Sequence, residues 1–177
     1  MSQAVFSHLH KCESSLQEII FVLYSKNDWQ IFDKVAGSYL SYIQKKIEEG
    51  PFVTVDAIIS VDNKVVLIKR KNPPFGWALP GGFVDYGENL EKAVMREVKE
   101  ETNLDLKNLK QFHTYSNSQR DPRFHTISTV FIARAKGNLQ SGSDAREAKL
   151  FSLNELPDKI AFDHRRILKD YIKKMFN

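Results

Sequence analysis

The segment between Gly82 and Leu104 restricts the possible folds of this chain more than any other, because its charged residues keep a fixed spacing. It follows the pattern Gly-x5-Glu-x7-Arg-Glu-x2-Glu-Glu, formed by Gly82, Glu88, Arg96, Glu97, Glu100 and Glu101. At about 100° per residue, the last three glutamates of a helix project into or beside its apolar stripe. An amphipathic helix normally keeps carboxylates off the face that packs on the core. Because buried carboxylates are usually paired or bound to metal, the segment predicts a helix that carries a cation site.

The ligand types of this cluster indicate which cation it suits. Glutamate oxygens without histidine or cysteine favour hard divalent ions, Mg2+ or Mn2+. Mg2+ usually takes one or two carboxylates together with water and substrate phosphates, so a diphosphate substrate fits the cluster. Arg96 precedes Glu100 by one helical turn and can pair with it. The competing interpretation is a solvated acidic helix end, which is disfavoured because the helix macrodipole prefers cations at the C-terminal end.

Length, charge and composition restrict the class of protein. The 177 residues, 42% of them hydrophobic, suffice for one domain with a real core and an appendage. The net charge of +4 and a longest basic run of three residues, Lys69–Lys71, give no reason to expect nucleic-acid binding. The chain has no stretch of about 18 apolar residues, so we expect no membrane span. The single cysteine, Cys12, excludes an intrachain disulfide and suits a reducing compartment, so we expect a cytoplasmic protein.

The first 50 residues differ in pattern from the rest of the chain. We predict a helical N-terminal extension over 1–50, with helices at Glu13–Tyr24 and Trp29–Glu49, and a main domain over 51–177. Gly50-Pro51 supplies the glycine and proline that commonly end a helix. Three interpretations of the extension stay open. It pairs with its copy in a dimer, covers the substrate cleft, or caps the sheet.

The main domain is predicted to begin with strands and to alternate between strands and helices. Apolar runs on either side of Asp62-Asn63 predict a β-hairpin of Phe52–Val61 and Lys64–Arg70. The glutamate-bearing helix is predicted from Glu88 or Asn89 to about Asn103. The remaining predicted elements are strands at Leu109–Ser116, Thr126–Arg134 and Glu147–Leu153 and a last amphipathic helix at Asp163–Phe176.

The pattern from Gly82 to Leu104 resembles the Nudix box, the signature of the Nudix hydrolases, and the similarity extends over 51–177. The resemblance implies an α/β (α+β) fold, an α/β/α sandwich on a mixed sheet, to which this chain adds its helical N-terminus. It also implies an enzyme that splits a nucleoside diphosphate linked to another group, by attack of water on phosphorus. One departure is Asn103, where the family usually has glycine. Asparagine tolerates the same left-handed backbone.

The same resemblance gives metal-binding roles to four residues. Glu97 and Glu101 would be the principal ligands of Mg2+, and Glu100 a further ligand or a water-orienting group. The carbonyl of Gly81, in the glycine loop before the helix, would complete the shell.

Two positioning roles and the catalytic base remain. By the resemblance, Glu88 and Arg96 would position the metal ligands. The catalytic base varies across the family, and the box does not identify it. The loop before the last strand lies where related enzymes often carry a base, which makes Asp144 and Glu147 candidates. The alternative for both is an ordinary surface turn.

Signals for the substrate lie outside the box. Arg120-Asp121-Pro122-Arg123-x-His125, followed by an apolar strand, resembles the ADP-ribose pyrophosphatase branch of the family. Arg120 and Arg123 can hold phosphate or a terminal ribose through bidentate hydrogen bonds, and His125 can contact the substrate. The alternative is a polar hairpin tip with a structural histidine.

Two residues near the glycine loop are further candidates for substrate binding. Arg70 ends its strand and can reach a phosphate, or it is a solvated strand end. Trp77, with Phe75 beside it, can stack on a base, or it packs in the core.

From this resemblance we expect Mg2+-dependent hydrolysis of ADP-ribose to AMP and ribose 5-phosphate. The alternative substrates are a nucleoside triphosphate, a dinucleoside polyphosphate or another sugar nucleotide. A non-catalytic ADP-ribose sensor is the alternative from another class. Against the sensor, every carboxylate of the box is present and the chain after the box is too short for an added winged-helix domain. By analogy with ADP-ribose-cleaving relatives, we expect a homodimer.

Overall fold

The computed structural model describes residues 20–61, 63–142 and 145–175 of the chain. The chain divides into two compact units with the boundary between Glu49 and Gly50, and each unit is described by itself. Cys12 and most of the predicted helix Glu13–Tyr24 lie outside the described residues. In the described part of the chain, no helix is long and apolar enough to cross a membrane.

The helices of the first unit begin at a serine cap. Ser25 has extended backbone angles, φ −137° and ψ 164°, and its hydroxyl accepts a hydrogen bond from the Asp28 N–H at 3.2 Å. Serine in this role satisfies a backbone donor that the first helical turn leaves free. Helix α1 (Lys26–Phe32) continues through a π-helical stretch (Asp33–Gly37) into helix α2 (Ser38–Glu49).

Two predicted limits in this unit are wrong. Residues 20–24 are not helical, because the chain runs into the extended cap residue Ser25. For the same reason the next helix begins at Lys26, ahead of the predicted Trp29. Ile31 and Val35, which helped to predict this helix, are exposed.

Within the described residues, the second unit contains seven strands and two helices. The strands are β1 (Phe52–Val61), β2 (Lys64–Arg70), β3 (Trp77–Ala78), β4 (Gly81–Phe83), β5 (Asp105–Tyr115), β6 (Thr126–Lys136) and β7 (Ala145–Ser152). The helices are α3 (Leu90–Thr102) and α4 (His164–Met175).

Strand β1 organises the sheet. It pairs in parallel with β6, from Phe52 opposite Thr126 to Ile59 opposite Ala133. It also pairs antiparallel with β4 and, at its far end, with β2, which confirms the predicted hairpin. β2 pairs antiparallel with β3 and β7, and β5 pairs antiparallel with β6. The parallel β1–β6 pair among antiparallel neighbours makes the sheet mixed, as predicted.

The two larger core clusters lie on opposite faces of the sheet, because successive strand residues point to opposite sides. One cluster combines residues of β1 and β2 with α4: Ile58, Val65, Leu67, Ile167, Leu168 and Tyr171. The other combines the alternate residues of the same strands with α3: Val55, Ala57, Ile59, Val66, Ala93, Val94 and Val98. One helix therefore covers each face, and the predicted α/β/α sandwich is confirmed.

Other predicted limits differ by a few residues: β6 ends at Lys136 and not Arg134, and the last helix begins at His164 and not Asp163. Strand pairing explains two further differences. β5 begins at Asp105, earlier than the predicted Leu109, because Asp105 pairs with Lys136 at the end of β6. β7 begins at Ala145, earlier than Glu147, because Ala145 pairs with Arg70 beyond a register shift.

Both ends of helix α3 are capped by asparagine. The Asn89 side chain accepts a hydrogen bond from the Lys92 N–H at 2.9 Å, which places the N-cap where it was predicted. Asn103 at the other end has φ 58°, the left-handed conformation that usually belongs to glycine at this position. The departure from the usual glycine therefore leaves the helix end intact.

Candidate active site

A cavity of about 320 Å³ lies between the glycine loop, helix α3 and the segment before helix α4. Carboxylates line one part of it: Asp56, Asp85, Glu97, Glu101 and Asp121. Arginines line another part: Arg70, Arg120 and Arg123. The fold thus brings together charges of both signs from segments that are far apart in the sequence.

The glycine loop lies directly against the glutamates of α3. The Gly81 N–H donates a 2.9 Å hydrogen bond to Oε2 of Glu101. Gly81 has φ 156°, and a Cβ there would lie 2.1 Å from the carbonyl oxygen of Val55. A Cβ on Gly82 would lie 2.5 Å from the Glu97 carboxylate. Gly81 needs glycine because a side chain would occupy space that the backbone already fills, whereas a side chain at Gly82 would displace the Glu97 carboxylate.

Arg96 holds the acidic side chains around it in place. Its guanidinium donates to both carboxylate oxygens of Glu88 at 3.1 and 2.9 Å and to Glu97 at 2.7 Å. It also donates to the Phe83 carbonyl at 3.0 Å. The expected pair with Glu100 is present at 3.5 Å, the longest of these contacts to Glu88, Glu97 and Glu100. Arg96 therefore connects the helix to the glycine loop and orients Glu97.

Burial raises the pKa of Glu97 and Glu101, the two glutamates that line the cavity. It raises the pKa of Glu101 to about 8, against the lowering effect of the Gly81 hydrogen bond. It also raises the pKa of Glu97, although Arg96 acts in the opposite direction. A buried carboxylate is stabilised in its charged form by a nearby cation, so both glutamates suit a divalent ion.

The donor set fits a magnesium site that substrate helps to complete. Among the described residues, no three carboxylate, imidazole or thiol groups form a ready-made metal cage. Glu97 and Glu101 lie side by side at the cavity, while the Glu100 side chain is 49% exposed and is absent from the cavity lining. Two carboxylates with water and phosphate oxygens are a usual shell for Mg2+. The metal-binding roles of Glu100 and of the Gly81 carbonyl stay predictions.

A buried ion network lies behind the arginine part of the cavity. The Arg120 guanidinium is 2.9 Å from Asp163 and 3.6 Å from Asp56, and it donates to the Thr126 hydroxyl at 2.9 Å. Its side chain is only 4% exposed. Asp56 also accepts a hydrogen bond from Ser128. Arg120 lines the cavity and its guanidinium already has carboxylate partners, so its predicted role as a substrate contact stays a prediction.

His164 joins this network at the first residue of α4. Its Nδ1 accepts a 2.9 Å hydrogen bond from the Leu79 N–H, so the ring proton lies on Nε2, 3.4 Å from the Asp56 carboxylate. Complete burial lowers the pKa of His164, and this outweighs the opposite effect of Asp56. The histidine is therefore neutral at pH 7 and ties the glycine loop to α4.

Arg70 and Arg123 meet at one aromatic ring. The Arg70 and Arg123 guanidinium carbons lie 4.6 and 5.3 Å from the centroid of Phe162. Asp121 holds Arg123 in a bidentate pair at 3.0 and 2.8 Å. Both arginines line the cavity, and their roles as phosphate contacts stay predictions.

Besides Glu88, Arg96 and Glu100, three predicted site residues lie outside the cavity lining. Trp77 packs edge-on against Phe151 at 4.6 Å between ring centroids, which agrees with the alternative of core packing. The His125 Nε2 atom is 3.2 Å from the Ser116 carbonyl oxygen. Glu147 pairs with Lys149 on β7. Asp144 lies outside the described residues. The functional roles predicted for these four residues stay predictions.

The sequence interpretation missed Asp56, Phe162 and His164. Asp56 had a detectable signal, because a lone carboxylate inside the apolar run of β1 is expected to have a buried partner. Phe162 and His164 stand at the start of a predicted amphipathic helix, and nothing in the local pattern links them to the box.

Comparisons with known proteins agree with this geometry. The family model described as NUDIX domain matches residues 50–171. An ADP-ribose pyrophosphatase from Methanocaldococcus jannaschii is 56% identical over 126 residues, which cover 70% of this chain and 74% of that protein. An ADPR responsive transcriptional repressor from Acinetobacter baylyi is 33% identical over 151 residues, covering 79% of this chain and 60% of the repressor. The NUDIX domain of Shewanella oneidensis NrtR, crystallised with ADP ribose, superposes with a TM-score of 0.64 at 28% identity, covering 78% of this chain and 97% of that domain.

Proposed function

This chain belongs to the Nudix family and is a Nudix hydrolase, and on that basis we propose that it hydrolyses ADP-ribose to AMP and ribose 5-phosphate with Mg2+. The observation that carries the proposal is the pair Glu97 and Glu101, buried against the glycine loop in one cavity with Arg70 and Arg123. The 56% identity to a protein named ADP-ribose pyrophosphatase supports this choice of substrate.

The charged residues of the cavity suit both the divalent cation and the diphosphate of the substrate. Glu97 and Glu101 would hold the cation, which when bound offsets the charge of the diphosphate and lowers the pKa of an attacking water. Arg70 and Arg123 would hold diphosphate oxygens through charged hydrogen bonds. Water adds to one phosphorus and the P–O bond to the bridging oxygen breaks, which leaves one phosphate on each product.

Neighbouring residues would hold the metal ligands and the arginines in position. Arg96 would hold Glu97 with the help of Glu88, and the Gly81 N–H would orient Glu101. We assign Arg120 a positioning role, since Asp163 and Asp56 engage its guanidinium.

An aromatic cluster at the cavity suits the base of the nucleotide. Phe83 lines the cavity and lies 6.3 Å from Phe52 and 5.9 Å from Phe124 between ring centroids. Phe83 and Phe124 are each 39% exposed. Exposed aromatic faces stack favourably on planar rings, so we propose that the adenine packs on this cluster.

Product analysis tests the proposal. We expect ADP-ribose with Mg2+ to give AMP and ribose 5-phosphate by chromatography, and EDTA to abolish the reaction. Glu101→Gln is expected to lower turnover by about 100-fold or more, because it removes a buried charged ligand, while ADP-ribose still binds. Glu91→Gln, an exposed substitution at the start of the same helix, is the control. Turnover of Glu101→Gln at the control rate would contradict the assignment.

A sensor without catalysis is the second candidate, because one relative is named an ADPR responsive repressor and a similar domain was crystallised with ADP ribose. The same assay separates the two. Tight binding of ADP-ribose by the unmodified protein, without cleavage of ADP-ribose or of a panel of nucleoside triphosphates and sugar nucleotides with Mg2+ or Mn2+, would favour the sensor.

A homodimer and a cytoplasmic location remain expectations from the sequence. Light scattering on the purified full chain would give the oligomeric state, and fractionation of the source cells would give the location.

A further inference from the structure

Phe162 has a backbone conformation that bulky residues rarely adopt. Its φ is 56°, in the left-handed region, and it carries a large side chain rather than the glycine or asparagine usual there. Strained residues of this kind persist where the surrounding structure imposes them, and they concentrate at binding and catalytic sites. Phe162 lines the cavity, so its conformation has a direct connection to the site.

The neighbours of Phe162 hold it in this conformation. On one side, the Ala161 N–H donates to the Trp77 carbonyl at 2.8 Å. On the other side, the His164 ring accepts from the Leu79 N–H at 2.9 Å. Ala161 and His164 are both buried, so neither end of this short segment is free to relax. The direction of the Phe162 side chain is therefore determined by the core.

In this conformation the Phe162 ring lies against two positively charged side chains. The guanidinium carbons of Arg70 and Arg123 are 4.6 and 5.3 Å from its centroid, within the range of cation–π contact. Arg70 also donates to the carbonyls of Pro74 and Pro73 at 2.9 and 3.3 Å, which fixes its orientation further.

The two arginines oppose each other electrostatically. Burial lowers the pKa of Arg70, and the positive charge of Arg123 lowers it further. Asp121 neutralises Arg123, whereas Arg70 donates hydrogen bonds to the backbone carbonyls of Pro73 and Pro74. Two neighbouring guanidinium groups at a cavity are stabilised by an anion that both can contact.

We propose that Phe162 is a positioning residue that holds Arg70 and Arg123 as a paired site for one phosphate of the diphosphate. This inference rests on the proposed function, because it assigns part of the same cavity. In this role the ring acts through its contacts with the two arginines. The alternative is that Phe162 merely covers the core beneath it.

Substitutions of Phe162 test this assignment, because they distinguish the effect of the aromatic ring from the effect of the backbone conformation. Phe162→Gly removes the ring, and glycine accepts a positive φ without strain. We therefore expect no loss of melting temperature from backbone strain in this variant. We expect this variant to raise KM for ADP-ribose about 5- to 10-fold, the scale of a lost cation–π contact, with kcat changed by less than about twofold. Phe162→Tyr retains the ring and should restore the original KM. Asn108→Gly, at an exposed left-handed residue with φ 52°, is the matched backbone control.

Phe162→Leu keeps apolar bulk without an aromatic face, and it decides the question if the glycine variant does not fold. We expect a raised KM for this variant as well. A KM unchanged in both Phe162→Gly and Phe162→Leu would overturn the inference. So would a Phe162→Tyr variant as impaired as Phe162→Gly.

A binding measurement separates this inference from the proposed function. Calorimetric titration with inorganic pyrophosphate in EDTA reports the anion site without any hydrolysis. We expect binding by the unmodified protein and by Phe162→Tyr, and affinity about 5- to 10-fold weaker for Phe162→Gly. If the unmodified protein cleaves no ADP-ribose, the proposed function fails while this comparison still holds. The paired anion site would be contradicted by equal pyrophosphate affinity in all variants. It would also be contradicted if the unmodified protein did not bind pyrophosphate.

Discussion

The backbone N–H of Gly81 donates a 2.9 Å hydrogen bond to the carboxylate of Glu101, which stands twenty residues further along the chain. This contact joins the glycine loop to the helix that carries the candidate metal ligands. It depends on backbone approach that only glycine permits at Gly81. The loop and the helix therefore act as one unit of the site.

Substitution of Gly82 tests how closely the loop must approach the helix. A methyl group there would lie 2.5 Å from the Glu97 carboxylate, so Gly82→Ala must displace that side chain. We expect the Mg2+ concentration for half-maximal activity to rise about 10-fold or more, because the displaced carboxylate binds the ion less well. Titration of activity with Mg2+ measures this. Gly87→Asn is the control, because Gly87 has φ 80° with open space around it and asparagine tolerates that φ. Equal Mg2+ dependence of Gly82→Ala and the unmodified protein would contradict the prediction.

Replacement of Arg96 by lysine tests the role of its fork-shaped side chain. Lysine keeps the charge but cannot bond both oxygens of Glu88 and also Glu97. We expect activity to fall about 10- to 100-fold, as for other partners that orient metal ligands. The midpoint of urea unfolding should change little, because Arg96 and its partners are partly exposed.

A double-mutant cycle adds a sharper check on Arg96. If Arg96 acts through Glu88, the effects of Arg96→Lys and Glu88→Gln on kcat/KM should be far from additive. Lys99→Gln is the control, because Lys99 stands on the same helix as Arg96 and forms an exposed ion pair with Asp105 of β5. Full additivity would indicate that the two residues work separately.

Acid should destabilise the fold through His164. Burial lowers the pKa of this histidine in the folded state below its ordinary 6.5, with Arg120 adding to the effect and Asp56 and Asp163 opposing it. Below about pH 6.5 the unfolded chain binds a proton that the folded chain does not, so the free energy of unfolding falls with pH by up to about 1.4 kcal/mol per unit. Above that pH the histidine is neutral in both the folded and the unfolded chain, so His164 causes no further loss of stability.

The measurement is urea unfolding between pH 5 and 8 for the unmodified protein and His164→Asn, whose amide oxygen can still accept from Leu79. We expect the variant to be less stable at pH 8 and to lose less stability on acidification. His113→Asn, at an exposed position, should follow the unmodified protein. Parallel pH profiles of stability for the unmodified protein and His164→Asn would exclude His164 as the source of the acid sensitivity.

Asn103 offers a test of the helix end. Its φ of 58° costs asparagine less than most residues, and glycine nothing. Asn103→Gly should raise the free energy of unfolding by about 0.5 kcal/mol, and Asn103→Ala should lower it by about 1 kcal/mol. Chemical denaturation gives both values. Alanine at least as stable as asparagine would show that the left-handed conformation is not required there.

Local patterns in the sequence determined the elements that depend on near neighbours. The box helix lies between Asn89 and Asn103 as predicted, because both caps act within one turn of the helix. The hairpin of β1 and β2 follows from two apolar runs joined by a short turn. Strand ends were less predictable, because the start of β5 depends on its partner Lys136 in β6. The same limit applies to Trp77, whose contact with Phe151 comes from another strand.

Only the tertiary structure decided which distant residues share the cavity with the box. The network of Asp56, Arg120, Asp163 and His164 joins β1, a loop and the start of α4. Phe162 likewise meets Arg70 from the end of β2. The spacing within a helix or strand carries information over a few residues. These contacts form because β1 and β6 pair in parallel and α4 packs on their sheet, which no local pattern encodes.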